Sequence, residues 1–341
     1  MSGVVIERFG RVLAARDAPG PRQFLRDTLL VPHGMRERWS LRMGHLHPDD
    51  VSEAAVRADG LPAGSRYLPL RAAIGAAAER ETSPAWIQID DYEGSRGRAI
   101  VLLFASPHAE RPFAVAKVRP VQEGASLFQE RVALQSLRVS NVASTIPEAR
   151  SYGEFEGAEV LLMTAVPGRS MGREMKSEYV PRAHVRRHFA RAKRWLTAFQ
   201  AGRELGAHGD FWARNILLSD AATSVVDWEH FDPNGDPLDD VFHFALTYAL
   251  AFRWEMRQRA DAVERFRRGF ATRSVVAYEI RSWLAHFADA RRMVQPAMRR
   301  RMRMWMERGA EGKLARPALG EGEWDAMLEI FEKEALCVFS G

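Results

Sequence analysis

The segment His208-Gly209-Asp210-Phe211-Trp212-Ala213-Arg214-Asn215 leads straight into the apolar triplet Ile216-Leu217-Leu218, and a second apolar run ends in Val225-Val226-Asp227-Trp228-Glu229. Asp210, Asn215, Asp227 and Glu229 present side-chain oxygen atoms that accept hydrogen bonds, and a carboxylate can also take a proton. Taken alone, His-Gly-Asp also suits an ordinary turn and Asp227 a helix cap. Upstream, Lys117 stands in the apolar run AVAKV. An ammonium group is costly there unless it reaches a partner, and Glu130 lies on the helical pattern that follows. Gly94 and Gly97, in EGSRGR, would let backbone N–H groups approach a phosphate, and would serve a hairpin turn equally well.

Holding these groups in place requires two kinds of element. From Trp86 onward the runs AWIQID, RAIVLLFAS and PFAVAKVRP, each bounded by Gly, Pro or charged residues, predict an antiparallel meander. Leu127, Val132, Leu134 and Leu137 recur at roughly helical spacing, with Ser126 placed to cap that helix. Strand character returns near Glu148 to Gly153 and Glu159 to Thr164, so five strands and one helix are expected. Past Pro167-Gly168 the pattern becomes helical: a long helix over Pro181 to Leu205, two short strands at Asn215 to Leu218 and Ser224 to Asp227, and helices from about Leu238 on. The expected class is α+β, with a β-rich lobe at 83–166, a helical lobe at 167–341 and a cleft between them, a common location for a ligand. Residues 1–82, with a short element at Val4 to Ala15, form an N-terminal extension without a chemical motif.

The ordered motifs HGDFWARNILL and VVDWE resemble the catalytic segment of the aminoglycoside phosphotransferase and choline kinase family, relatives of the protein kinases. This resemblance spans about residues 86–255 and implies a bilobal protein-kinase-like fold that uses ATP and Mg. It implies that Asp210 is the catalytic carboxylate at the acceptor hydroxyl, that Asn215 and Asp227 hold the metal, and that Glu229 is an associated carboxylate. His208 would anchor the loop structurally. GDPLDDV resembles the family's GDPxxDL, which makes Asp240 the buried brace of the loop and Asp239 a helix N-terminal charge. Lys117 and Glu130 would form the ion pair that holds the lysine against the nucleotide phosphates. Thr164 to Val166, in the connector LLMTAVPG, would meet the adenine through backbone groups, with Gly94 and Gly97 over the phosphates.

A phosphotransferase acting on a hydroxyl of a small molecule, sugar or glycan is therefore expected. A regulatory pseudokinase usually lacks the aspartate or lysine, and both are present. A protein kinase would carry HRD, DFG and APE where this chain has HGD, DWE and no APE. The wording VVDWEHFDPNGDPLDDVFHF resembles kinases that accompany bacterial polysaccharide assembly, which implies a sugar or glycan hydroxyl as acceptor.

Composition narrows the setting. Residues 251–320 hold 17 Arg or Lys against 7 Asp or Glu, a surplus that suits an anionic acceptor or a peripheral membrane contact and disfavours a polycation. Within it, Arg299, Arg300 and Arg303 are interleaved with Met and Trp on a helix expected from Pro296, which equally suits a packed helix with a basic outer face. No nucleic-acid partner is expected. Cys337 is the single cysteine, which excludes an intrachain disulfide and a multi-cysteine zinc site. Glu7 and Arg8 interrupt any signal-peptide core, and the apolar run Phe242 to Phe252, which contains His243, is too short to span a bilayer, so a cytoplasmic location is expected.

Overall fold

The computed structural model describes residues 39–45, 73, 77, 85–91, 99–106, 108–121, 127–155, 157–174, 180–201, 206–251, 261–284, 300 and 321–335. These fall into two compact units. The first takes the described residues up to Val139 with Ala143–Arg169, and the second takes Ser140–Val142 with the described residues from Ser170 on.

The first unit is a six-stranded antiparallel sheet of β1 (Trp39–His45), β2 (Ala85–Asp91), β3 (Ala99–Phe104), β4 (Ala114–Pro120), β5 (Ala149–Phe155) and β6 (Ala158–Thr164). Its order is β1-β2-β3-β4-β6-β5. The sequence predicted five strands; the sixth, β1, comes from within residues 1–82 and pairs with β2 along its whole length. β3 and β6 are aliphatic runs buried almost throughout, as interior strands should be. β4 alternates: Ala114, Ala116 and Val118 enter the core with Trp86, Val101, Leu103 and Val160, and Lys117 belongs to the opposite face.

Helix α1 (Leu127–Ser136) lies between β4 and β5 in the chain and packs on β5 and β6. Ser126, the expected cap, lies outside the described residues. The first helical N–H, of Leu127, instead donates to the buried Glu159 carboxylate at 2.9 Å, the preferred charge at a helix N-terminus. The stripe that goes inward is Leu127, Glu130, Leu134 and Leu137, whereas Val132, assigned to the core by the sequence pattern, is 46% exposed. A stripe of hydrophobic spacing passes through a glutamate here because that glutamate has a cationic partner.

The second unit is largely helical: α2 (Arg182–Gln200), α3 (Pro237–Ala251), α4 (Ala262–Phe270), α5 (Val275–Leu284) and α6 (Glu321–Ile330). A short hairpin, β7 (Ile216–Leu218) paired with β8 (Thr223–Val225), separates α2 from α3. α2 is amphipathic and buries Val185, His188, Phe189, Ala192, Trp195, Leu196 and Phe199 on one face. α3 is buried without interruption from Asp240 to Leu250, which explains a run that is apolar all round and yet not membrane-spanning. Among the described residues no helix is long and apolar enough to cross a membrane. Asp236 caps α3 by accepting the Leu238 N–H at 2.9 Å, and Pro237 takes the first helical position, where no N–H is needed.

Candidate active site

The loop from Gly206 to Asn215 is fixed from three directions. From α3, the fully buried Asp240 accepts the backbone N–H groups of His208 at 2.6 Å and Gly209 at 3.0 Å, one on each carboxylate oxygen. From the turn that follows β8, Ala207 and Asp232 exchange two backbone hydrogen bonds, and Gly206 N–H donates to the Gly235 carbonyl. Gly209 adopts φ +84, and a Cβ there would sit 2.1 Å from the His230 carbonyl oxygen, so only glycine fits. From below, Phe211 stacks on Trp195 of α2, with centroids 5.6 Å apart.

His208 lies buried at the centre. Its Nδ1 accepts the Asp210 N–H at 3.2 Å, so Nε2 carries the hydrogen and donates to the Val226 carbonyl at 3.1 Å. Burial lowers its pKa to about 4, outweighing the neighbouring Asp210 and Asp227 charges that would raise it. The ring is neutral, and both nitrogens are spent on backbone groups of the two functional segments.

Asp210 is held at both carboxylate oxygens. Oδ2 accepts Nδ2–H of Asn215 at 2.9 Å, and the same nitrogen reaches the Asp210 backbone carbonyl at 3.0 Å. Oδ1 lies 2.9 Å from Nε2 of His243, whose side chain is 2% exposed. Burial alone would raise the carboxyl pKa; the hydrogen bond and charge of His243, with a smaller contribution from His230, hold it well below the usual carboxylate range. About a fifth of the side chain stays accessible, enough for a hydroxyl to approach an ionised oxygen.

Asn215 commits its amide N–H groups to Asp210, so its Oδ1 is the atom offered elsewhere. Its backbone ties the segments together, since the Val226 N–H donates to the Asn215 carbonyl at 3.0 Å. Asp227 follows directly and is the one described residue other than glycine with positive φ, at +72. Such a backbone costs energy and persists where the surroundings impose it. Its neighbour Trp228 is fixed in place: fully buried, it donates its indole N–H to the Val225 carbonyl at 3.1 Å and packs on His208, Trp195 and Phe199. Each of the two aspartates is thus followed by a buried aromatic resting on α2. Glu229 is half-buried, 3.5 Å from His230.

In the first unit Lys117 Nζ contacts both carboxylate oxygens of Glu130, at 2.8 and 2.7 Å, with the glutamate 1% and the lysine 13% exposed. Thr164 is engaged within its own sheet: its N–H donates to the Glu148 carbonyl and its hydroxyl accepts the Glu148 N–H. The Ala165 N–H bonds the Phe113 carbonyl, and Val166 is half-buried just beyond. Gly94 and Gly97 lie outside the described residues, as does the basic stretch 291–308 apart from Arg300. Arg300 donates to Asp236 at 2.6 Å and to Asp239 at 3.1 Å, at the N-terminus of α3.

His243 is the residue that sequence reasoning passed over. It interrupted an apolar run three positions after Asp240, and a polar group on a fully buried helix needs a partner, which was the signal available.

No family model matches the sequence, and no curated protein matches it. Among solved structures, the apo form of a thermostable mutant of aminoglycoside phosphotransferase APH(4)-Ia superposes with a TM-score of 0.51 at 13% identity, over 75% of this chain and 98% of that one. A ternary complex of such a mutant with ADP and hygromycin B gives 0.43 at 13% identity, over 72% and 90%. The first of these likenesses shows the fold, an antiparallel sheet followed by helices.

Proposed function

We propose that the chain is an ATP-dependent phosphotransferase that uses Mg and moves the γ-phosphate to an alcohol hydroxyl of a small molecule, sugar or glycan. The observation that carries this reading is Asp210: an ionised, partly accessible carboxylate, hydrogen-bonded at both oxygens and mounted on a loop whose backbone is tied to a buried aspartate. Phosphoryl transfer asks little covalent chemistry of a protein and much positioning, and that is what such an arrangement supplies.

A strongly acidic carboxyl is a weak base, so Asp210 acts first by accepting a hydrogen bond from the acceptor hydroxyl and aiming its oxygen. The proton passes to Asp210 as the new O–P bond forms, the hydroxyl becomes acidic, and the bond from the γ-phosphorus to the β–γ bridging oxygen breaks, ADP leaving with that electron pair. Asn215 Oδ1 and the Asp227 carboxylate fit Mg by donor type, being hard oxygens on two segments joined by the bond from Val226 N–H to the Asn215 carbonyl. When bound, the metal neutralises charge on the phosphate oxygens. Lys117, kept extended by Glu130, serves the nucleotide phosphates, and the backbone at Val166 serves the adenine, since the Thr164 N–H is taken within the sheet.

The test is ATP consumption by purified protein against sugars, glycans, aminoglycosides and choline, with and without Mg, beside Asp227→Ala. Mg-dependent transfer to one class, with the variant losing the gain in ATP affinity that Mg confers, is the expected result. An Asp227→Ala protein that keeps the full Mg effect contradicts the metal assignment.

A further inference from the structure

α3 carries two polar side chains one turn apart, at Asp240 and His243, and residues three apart on a helix share a face. Both go to the same loop. Asp240 takes the backbone N–H groups of His208 and Gly209, and His243 meets the side chain of the next residue, Asp210. The histidine is buried on a helix that is otherwise apolar from Val241 to Leu250 except for Thr247, whose hydroxyl is spent on the backbone of its own helix, and Tyr248, whose hydroxyl meets Nδ1 of His188 at 3.0 Å. Desolvating an imidazole costs free energy that a leucine or phenylalanine at this place would not cost, and the hydrogen bond to the catalytic carboxylate stands against that cost.

That bond has a geometric consequence. A carboxylate on one methylene rotates readily about its terminal torsion, because sp³–sp² torsions are broad. Asn215 alone fixes one oxygen and leaves the other free to swing. With His243 on Oδ1 and Asn215 on Oδ2 the carboxylate plane is set, and each oxygen keeps a lone pair for the acceptor hydroxyl. The neutral Nε2–H form and the imidazolium both supply the hydrogen, so the arrangement does not depend on the charge of the ring.

We infer that His243 is a positioning residue for phosphoryl transfer, which fixes the plane of the Asp210 carboxylate from the helix that also braces its loop. This rests on the phosphotransferase reading above. Its test is a mutant cycle on Mg-ATP turnover with water as the acceptor, followed as phosphate release, with ADP affinity and urea midpoint measured beside it.

His243→Leu should lower kcat by of order 100-fold, the cost of an angstrom-scale misplacement, with KM for ATP and ADP affinity unchanged. His243→Gln, whose side-chain amide can take the place of Nε2–H, should recover most of that loss. His243→Asn is polar but too short to reach Oδ1 and should behave like the leucine variant, so the comparison of Gln with Asn stands even where Leu impairs folding. In an Asp210→Asn background the leucine substitution should cause little further loss, because residues acting as one unit are not additive.

Equal loss in the Gln and Asn variants, or a full loss that persists without the Asp210 carboxylate, overturns the positioning role. Two outcomes strike the parent reading instead, and the positioning role falls with it. One is a wild type without Mg-dependent turnover. The other is an Asp210→Asn variant as fast as the wild type.

Discussion

His208 shows how a titratable side chain can hold a loop together without titrating in it. Both ring nitrogens are occupied by backbone groups of the Asp210 and Asp227 segments, and burial holds the pKa at about 4, against about 6.5 in an unfolded chain. The unfolded state therefore binds more protons between these values. The contribution of His208 to stability is fully present above about pH 6.5 and is lost as pH falls toward 4, with a full span of roughly 3 kcal/mol. Urea unfolding midpoints should decline from pH 6.5 to 5, and His208→Gln, although less stable at pH 8, should show a flatter decline. Parallel slopes in the two proteins would contradict a buried neutral His208. Asp210 has the opposite ordinary charge and a lowered pKa, so its own contribution is lost only below the usual carboxylate range, in a separate window.

Among the elements, α2 and α3 hold the loop from two sides. α3 provides hydrogen-bond acceptors and the His243 contact, and α2 provides the aromatic bed: Trp195 packs on Phe199, Phe211 and Trp228 with centroids 5.5, 5.6 and 6.0 Å apart. Because Phe211 and Trp228 adjoin Asp210 and Asp227, loss of this bed reaches the chemistry as well as the stability. Trp195→Ala should cost about 3–5 kcal/mol, the usual range for a buried Trp or Phe, and should lower turnover of the folded fraction. Trp324→Ala, in α6 and equally buried at 4% exposure, should cost a similar amount of stability while the folded fraction keeps its turnover. Equal turnover per folded molecule in the two variants would contradict a coupling of the aromatic bed to the site.

At the scale of the molecule, legibility followed locality. Strands β2 to β6, α2 and the hairpin were readable because hydrophobic period and Gly or Pro boundaries act within a few residues. The groups on the loop were readable because HGD, the asparagine after it and the DWE turn lie close in the chain. β1 was missed although Trp39, Leu41 and Met43 alternate with Ser40, Arg42 and Gly44, a period-two signal overshadowed by the turn-rich HLHPDD beside it. What capped α1 was not readable, since the Glu159 carboxylate comes from 32 residues away. The His243 contact with Asp210 spans a similar separation, and no local pattern encodes such a pairing. Arg300 belongs to the arginines expected either to meet an anionic acceptor or to form the basic outer face of a packed helix. It bridges Asp236 and Asp239 because an acidic helix N-terminus is a ready partner for a guanidinium.

The central claim is that Asp210 serves the acceptor and leaves the nucleotide to other residues. It is tested most directly by Asp210→Asn, which keeps the shape of the side chain and removes its basicity, with kcat for phosphate transfer and the dissociation constant for Mg-ATP measured on the same preparation. The account predicts a fall in kcat of about 10²- to 10⁴-fold, the usual contribution of a general base, with Mg-ATP binding unchanged. A variant that turns over at the wild-type rate, or one that loses kcat only in proportion to lost Mg-ATP binding, would contradict it.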